Sequence, residues 1–288
     1  MPTKIEKDSL SGQNTTGHEW DGLKELNTPL PKWWLWTFYA TIVWGVIFMV
    51  IYPSLPGWRG TSGWIAREAI VAEMAEAQAR NAPMMARLRE ATPAQIAADP
   101  EMRAFAVAGG RVAFANNCAA CHGAGGQGAA GGYPSLADDE WIWGGSLEAI
   151  QHTIRHGIRA NESDDQRQSQ MPRFGADGLL TAAQINDVAE HVLSLSSRAT
   201  DQAAAGRGAA VFGEQCASCH GERGEGNREF GAPRLTDQVW LYGGSKREIV
   251  AMISSPRVGV MPAWGQGRLD PAVVNMLTVF VHSLGGGE

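Results

Sequence analysis

Cysteine occurs four times in this 288-residue chain, and every one belongs to the pattern Cys-x-x-Cys-His. Cys118-Ala-Ala-Cys121-His122 returns in the second half as Cys216-Ala-Ser-Cys219-His220. That spacing is the attachment signature of c-type haem. On one helical turn both sulfurs face the same way and can form thioethers with the vinyl groups of one porphyrin, while the following imidazole reaches the iron. Two such turns without a spare cysteine predict two covalently bound haem c groups. A zinc reading needs both pairs to share one metal, and it leaves His122 and His220 without a role. A thioredoxin-like redox pair needs a βαβ surround, which neither pentapeptide has.

An iron held by histidine on one side calls for a sixth ligand, and a thioether stabilises the reduced metal and raises its potential. Of ten methionines, only Met171 and Met261 occupy matching places, each followed by proline and standing ahead of the last helix of its repeat. Both are expected to be metal ligands together with His122 and His220. Histidine competes at one point: His152 and His156 are four apart, share a helix face, and His156 could replace Met171. The second repeat has no counterpart, with Ala251 and Ser255 nearby. Two saturated irons leave no open position for substrate, so no catalytic residue is expected. The chemistry is electron transfer, with the polypeptide tuning the potential inside a low-dielectric pocket. The carbonyls of Pro134 and Pro233 are expected to accept hydrogen bonds from the rings of His122 and His220.

These residues need elements to position them, and the chain supplies the same ones twice. Gly110 and Phe114 stand before the first motif as Gly208 and Phe212 stand before the second. Glycine there admits a crossing helix, and phenylalanine packs beneath the haem. Downstream, Trp141-Ile-Trp143-Gly144-Gly145-Ser146 matches Trp240-Leu-Tyr242-Gly243-Gly244-Ser245. Each repeat closes with an amphipathic helix, predicted over Thr181 to Leu195 and Pro271 to Leu284. The first repeat has an extra polar stretch near Ala160 to Gln168, expected as a surface loop. Helical patterns separated by Gly-rich loops, with no alternating strand runs, predict an all-α domain used twice.

Ahead of the repeats, Trp33 to Tyr52 is an uncharged run of 20 residues. As a helix it is about 30 Å long, the thickness of the hydrocarbon layer, with aromatic residues at both ends. A cleaved signal peptide would carry a shorter apolar region, so a retained anchor is expected. Lys4, Lys7, Lys24 and Lys32 before the span, and haem attachment outside the bacterial cytoplasm, place the N-terminus inside. Thr37, Thr41 and Gly45 form a small-residue strip on which another helix could lie. Residues 53–103 are expected as a helical spacer, rich in Ala, Glu and Arg, broken at Pro83 and restarted behind a Thr92 cap. The net charge of -6 argues against nucleic acid. Phe105 to Arg198 holds 6 Arg against 10 Asp and Glu, so the first repeat is the more natural dock for a basic donor.

The run from His18 through Glu19-Trp20-Asp21-Gly22 and Thr28-Pro29-Leu30-Pro31 into the span, followed by Tyr52-Pro53-Ser54-Leu55-Pro56, resembles the dihaem subunit III family of cbb3-type cytochrome c oxidase. The resemblance extends from about His18 to the C-terminus. It implies an inner-membrane protein with a cytoplasmic segment (1–32), one transmembrane helix (33–52), a periplasmic helical spacer (53–103) and two tandem class I cytochrome c domains (104–198 and 199–288). Such a subunit takes electrons from a soluble or membrane-tethered c-type cytochrome. It passes them to the monohaem subunit and on to the catalytic subunit, where oxygen is reduced and protons are pumped. By the same resemblance, Cys118, Cys121, Cys216 and Cys219 bind the haems, and His122 with Met171 and His220 with Met261 are the axial pairs. Rival expectations are the anchored cytochrome subunit of a periplasmic dehydrogenase and a dihaem peroxidase, which needs one vacant iron site.

Overall fold

A computed structural model describes residues 4–286. Residues 1–3 and 287–288, the outer ends of the expected first and last segments, lie outside the described residues. Contacts divide the chain into two compact units, Met1–Arg80 and Asn81–Glu288.

The first unit opens with a hairpin absent from the all-α expectation. Strands β1 (Thr15–Trp20) and β2 (Leu23–Leu26) pair antiparallel, with Trp20 opposite Leu23. Asp21 and Gly22 link them with φ of 48° and 84°. Two successive positive φ values make the primed turn whose twist matches a hairpin, and Asp-Gly is its common sequence. Helix α1 (Lys32–Ile51) follows, uncharged beyond Lys32 and with no buried residue. It is the one described helix long and apolar enough to cross a membrane. Helix α2 (Ala66–Glu90) continues past Pro83 instead of ending there. Proline removes one backbone donor, but Ala, Met and Arg on both sides are strong helix formers. Met84, Met85 and Leu88 just beyond it are also held by packing.

The second unit is all helix and loop: α3 (Pro93–Ala98), α4 (Pro100–Asn117), α5 (Ala119–His122), α6 (Leu147–His156), α7 (Ala182–Ser194), α8 (Gln202–Gln215), α9 (Ala217–His220), α10 (Lys246–Ser254) and α11 (Pro271–His282). Thr92 caps α3 as expected, in a reciprocal capping box with Gln95. The closing helices of the two repeats are exchanged. Helix α4 of the first repeat packs on α11 of the second, and α7 of the first packs on α8 of the second. The expected glycine crossings do occur, but between repeats. Gly110 leaves room for the Met276 carbonyl on α11, and Gly208 for the Asp187 carbonyl on α7.

A short connection accounts for the exchange. Only residues 195–201 separate α7 from α8, and helices so joined become antiparallel neighbours. Buried Glu190 staples that corner. Its carboxylate accepts from Thr200 N and Oγ1 at 2.9 and 2.8 Å, from Asp201 N at 3.2 Å and from Lys246 Nζ at 2.8 Å. Lys246, with these hydrogen bonds, holds the carboxyl pKa down at about 2. The second half of the expected spacer joins the same body: Leu88, Ile96 and Met102 form a buried cluster with Ala272, Met276 and Val279 of α11. Asn275 donates to the Leu88 carbonyl at 2.8 Å, and Arg89 pairs with Asp270 at 2.7 Å.

Candidate functional site

Each Cys-x-x-Cys-His motif forms one turn after its N-terminal helix. Cys118 ends α4 by donating to the Phe114 carbonyl, and its own carbonyl accepts from Cys121 and His122 at 3.1 and 2.9 Å. Cys216 repeats this, accepting from Cys219 and His220 at 3.1 and 3.0 Å. None of the four cysteines is joined to another; Cys121 and Cys219 are exposed, and Cys216 is buried. Burial, then the neighbouring cysteine, pushes the Cys118 and Cys216 thiols up to about 11.

The loops beyond orient the imidazoles. Gly128 N–H donates to the His122 carbonyl at 2.7 Å, and Gly226 N–H to that of His220 at 2.8 Å. His122 Nδ1 lies 3.1 Å from the Pro134 carbonyl, and His220 Nδ1 3.0 Å from that of Pro233. A carbonyl can only accept, so Nδ1 carries the proton and Nε2 keeps its lone pair for a metal. Burial lowers both histidine pKa values, opposed by these hydrogen bonds. A neutral imidazole is the ligating form.

The methionines complete two apolar pockets, in crossed order. Met261 packs with Cys118, Ala119 and Trp264 around Phe114, Ile150, Ile154, Leu277 and Phe280. Met171 packs with Cys216, Ala217 and Trp240 around Phe174, Ile185, Phe212 and Ile249. Backbone bonds hold the crossed arrangement. Ile158 and Met261 exchange N–H···O=C bonds of 2.9 and 3.0 Å, and Trp264 donates to the Ile154 carbonyl at 3.0 Å. On the other side Ala176 donates to the Ser254 carbonyl at 2.9 Å. The expected pairs of His122 with Met171 and His220 with Met261 are thus not the ones brought together. The Met loops travel with the exchanged helices α7 and α11.

His156 is engaged by its own neighbours. Its Nδ1 lies 2.8 Å from Ser163 Oγ in the polar loop, and its ring meets that of His152 at a tilt of 41°, with centroids 4.7 Å apart. One contributor escaped the reading of the sequence. Arg198 lies over the Trp240 ring at 5.3 Å and donates to the Gly244 carbonyl at 3.1 Å. Its Nη2 is buried with no partner. An isolated arginine after a helix carries no periodic signal, and only the fold brings it beside Trp240.

This donor set fits haem c. Two thiols and an Nε2 lie on one turn, a thioether shares each apolar pocket, and a buried guanidinium donor is left over for a carboxylate such as a porphyrin bears. Cys118 and Cys216 pack in separate clusters, which a shared zinc ion cannot reconcile. Among the described residues, no three His, Cys, Asp or Glu side chains converge on one point.

Two cytochrome c units behind an apolar N-terminal helix define a class, the anchored tandem c-type cytochromes. Three family models match in the same order: the N-terminal domain of cytochrome oxidase-cbb3, FixP, at residues 12–59; cytochrome c at 106–196; and cytochrome c oxidase, cbb3-type, subunit III, at 203–281. The cbb3-type cytochrome c oxidase subunit FixP of Azorhizobium caulinodans is 50% identical, over 98% of this chain and 96% of its own. The FixP subunit of a Bradyrhizobium species is 48% identical and the CcoP subunit of Cereibacter sphaeroides 46%, each over 100% of both chains. The chain belongs to the subunit III family of cbb3-type cytochrome c oxidases. It is a cytochrome subunit of electron transport, partnered with the other subunits of the oxidase, and its cytochrome c domains imply covalently bound haem c.

Proposed function

We propose that this subunit relays electrons from a c-type cytochrome donor to the monohaem subunit of the oxidase, and so to its oxygen-reducing centre. It carries two haem c groups and performs no independent catalysis. When bound, haem c supplies a one-electron iron couple. The chain does the rest. Cys118 and Cys121, and Cys216 and Cys219, tether the groups, and the Pro134 and Pro233 carbonyls orient His122 and His220. Met261 would hold the first group together with His122, and Met171 the second together with His220. The single observation that carries this reading is that each attachment turn shares its apolar pocket with a methionine. Such a pocket excludes water and favours the reduced metal.

Helix α1 is the anchor, with the N-terminal segment cytoplasmic and both haem domains periplasmic. Four lysines ahead of the span support that orientation. Rapid mixing of the purified oxidase complex with a reduced c-type cytochrome, without oxygen, tests the relay. Both c haems of this subunit should be reduced before the b-type haem of the catalytic subunit. Reduction of the b-type haem while this subunit stays oxidised would overturn it.

A further inference from the structure

After α6 the chain turns through Gly157 and Ile158 to Arg159, whose φ of 53° lies in the left-handed region. Few long side chains adopt that conformation, and it marks a constrained position. The Arg159 guanidinium is half-buried. Its Nε donates to the Gly259 carbonyl at 2.8 Å and its Nη1 to the Ser169 carbonyl at 3.0 Å. Gly259 stands two residues before Met261, and Ser169 two residues before Met171. One side chain therefore holds the same position on both methionine loops, although those loops serve different attachment turns.

The chemistry suits a clamp. Guanidinium presents its donors in a rigid planar fork, so two acceptors bound to it are held at a set separation. Bonds from a charged donor are stronger than neutral ones. Burial lowers the Arg159 pKa, and the Tyr242 phenol, the other titratable group facing it, opposes the shift. Tyr242 is itself covered by Arg257 at 4.9 Å and lies against Gly132 of the first repeat. A half-buried cation is costly unless its hydrogen bonds are made, and here two go to the two loops.

We propose that Arg159 is a positioning residue that sets both axial methionines together, so that the two thioether sites tighten or loosen in concert. This rests on the reading that Met261 and Met171 are the axial ligands. The test is titration of the haem-loaded, full-length ferric chain with imidazole, which competes with methionine for the iron. Apparent affinity scales with the fraction of sites standing open. Arg159→Gln should strengthen imidazole binding at both haems by about tenfold and weaken the thioether–iron charge-transfer bands of both. Glu162→Gln is the comparison, because Glu162 ties only the Met261 loop, accepting from Ala263 N at 2.9 Å and Arg268 Nη2 at 2.7 Å. It should loosen that one site.

A response of one haem alone to Arg159→Gln, or of neither, would overturn the clamp. Should that variant fail to accumulate with haem, Arg159→Lys carries the same test. A lysine ammonium keeps the charge but lacks the fork, so both sites must again loosen. The ligand reading fails separately: Met171→Ala and Met261→Ala chains that titrate like the parent would remove the methionines from the irons, whatever Arg159 does.

Discussion

Ile158 and Met261 belong to different sequence repeats, yet each donates its backbone N–H to the other's carbonyl, at 2.9 and 3.0 Å. This pair of bonds seats a methionine of the second repeat in the pocket of the first attachment turn. An isolated repeat would therefore lack the methionine of its own pocket.

The crossed pairing can be read one haem at a time. In a chain carrying Cys216→Ala and Cys219→Ala, only the first attachment site remains. There Met261→Ala should abolish the thioether–iron charge-transfer band and lower the midpoint potential, while Met171→Ala leaves both nearly unchanged. The opposite result would restore pairing within each repeat.

Attachment itself is a matter of mass. The intact protein should exceed its polypeptide mass by two haems. Cys118→Ala with Cys121→Ala should remove one of them, and so should Cys216→Ala with Cys219→Ala. A single haem in the unsubstituted chain would contradict the two-site assignment.

The exchanged helices cross at glycines with no room to spare. A methyl group at Gly208 would run into the Asp187 carbonyl, which backbone hydrogen bonding holds in place. Gly208→Ala should destabilise the haem-loaded chain by about 1–3 kcal/mol, as overpacking does. Gly213 lies on the same helix with nothing within 4 Å of the added carbon. Gly213→Ala should be neutral or stabilising by up to about 1 kcal/mol, since glycine is the poorer helix former. Denaturant unfolding of the two variants side by side gives the comparison.

Glu190 makes the α7–α8 corner sensitive to acid. Its folded pKa of about 2 lies below the ordinary 4.5. The carboxylate's contribution is therefore fully present above pH 4.5 and is lost as the pH falls towards 2. Glu190→Gln should lower stability at neutral pH and narrow its gap from the parent chain across that acid range. A gap independent of pH, followed by denaturant midpoints, would show that the charge is not what holds the corner.

Much was legible in the residues themselves because it depends on local covalent spacing. Two cysteines and a histidine on one turn define an attachment site wherever the turn sits. Twenty uncharged residues define a helix suited to lipid, and Thr92 with Gln95 defines a capped start. Asp21-Gly22 is equally legible as a hairpin turn, although its segment speaks first through its lysines and its family resemblance. Pro83 does not end its helix, because the packing of Met84, Met85 and Leu88 behind it offsets the lost backbone bond.

Which methionine faces which histidine was a different kind of question. The two repeats carry near-equivalent helices, so the pattern of apolar residues fits either partner equally well, and periodicity cannot choose between them. The tertiary structure chose through the short connection at 195–201, the Glu190 staple and the Ile158–Met261 bonds, all contacts between segments distant in sequence. The chain by itself determined which residue types recur at which spacing; only its folding decided which methionine packs beside which attachment turn.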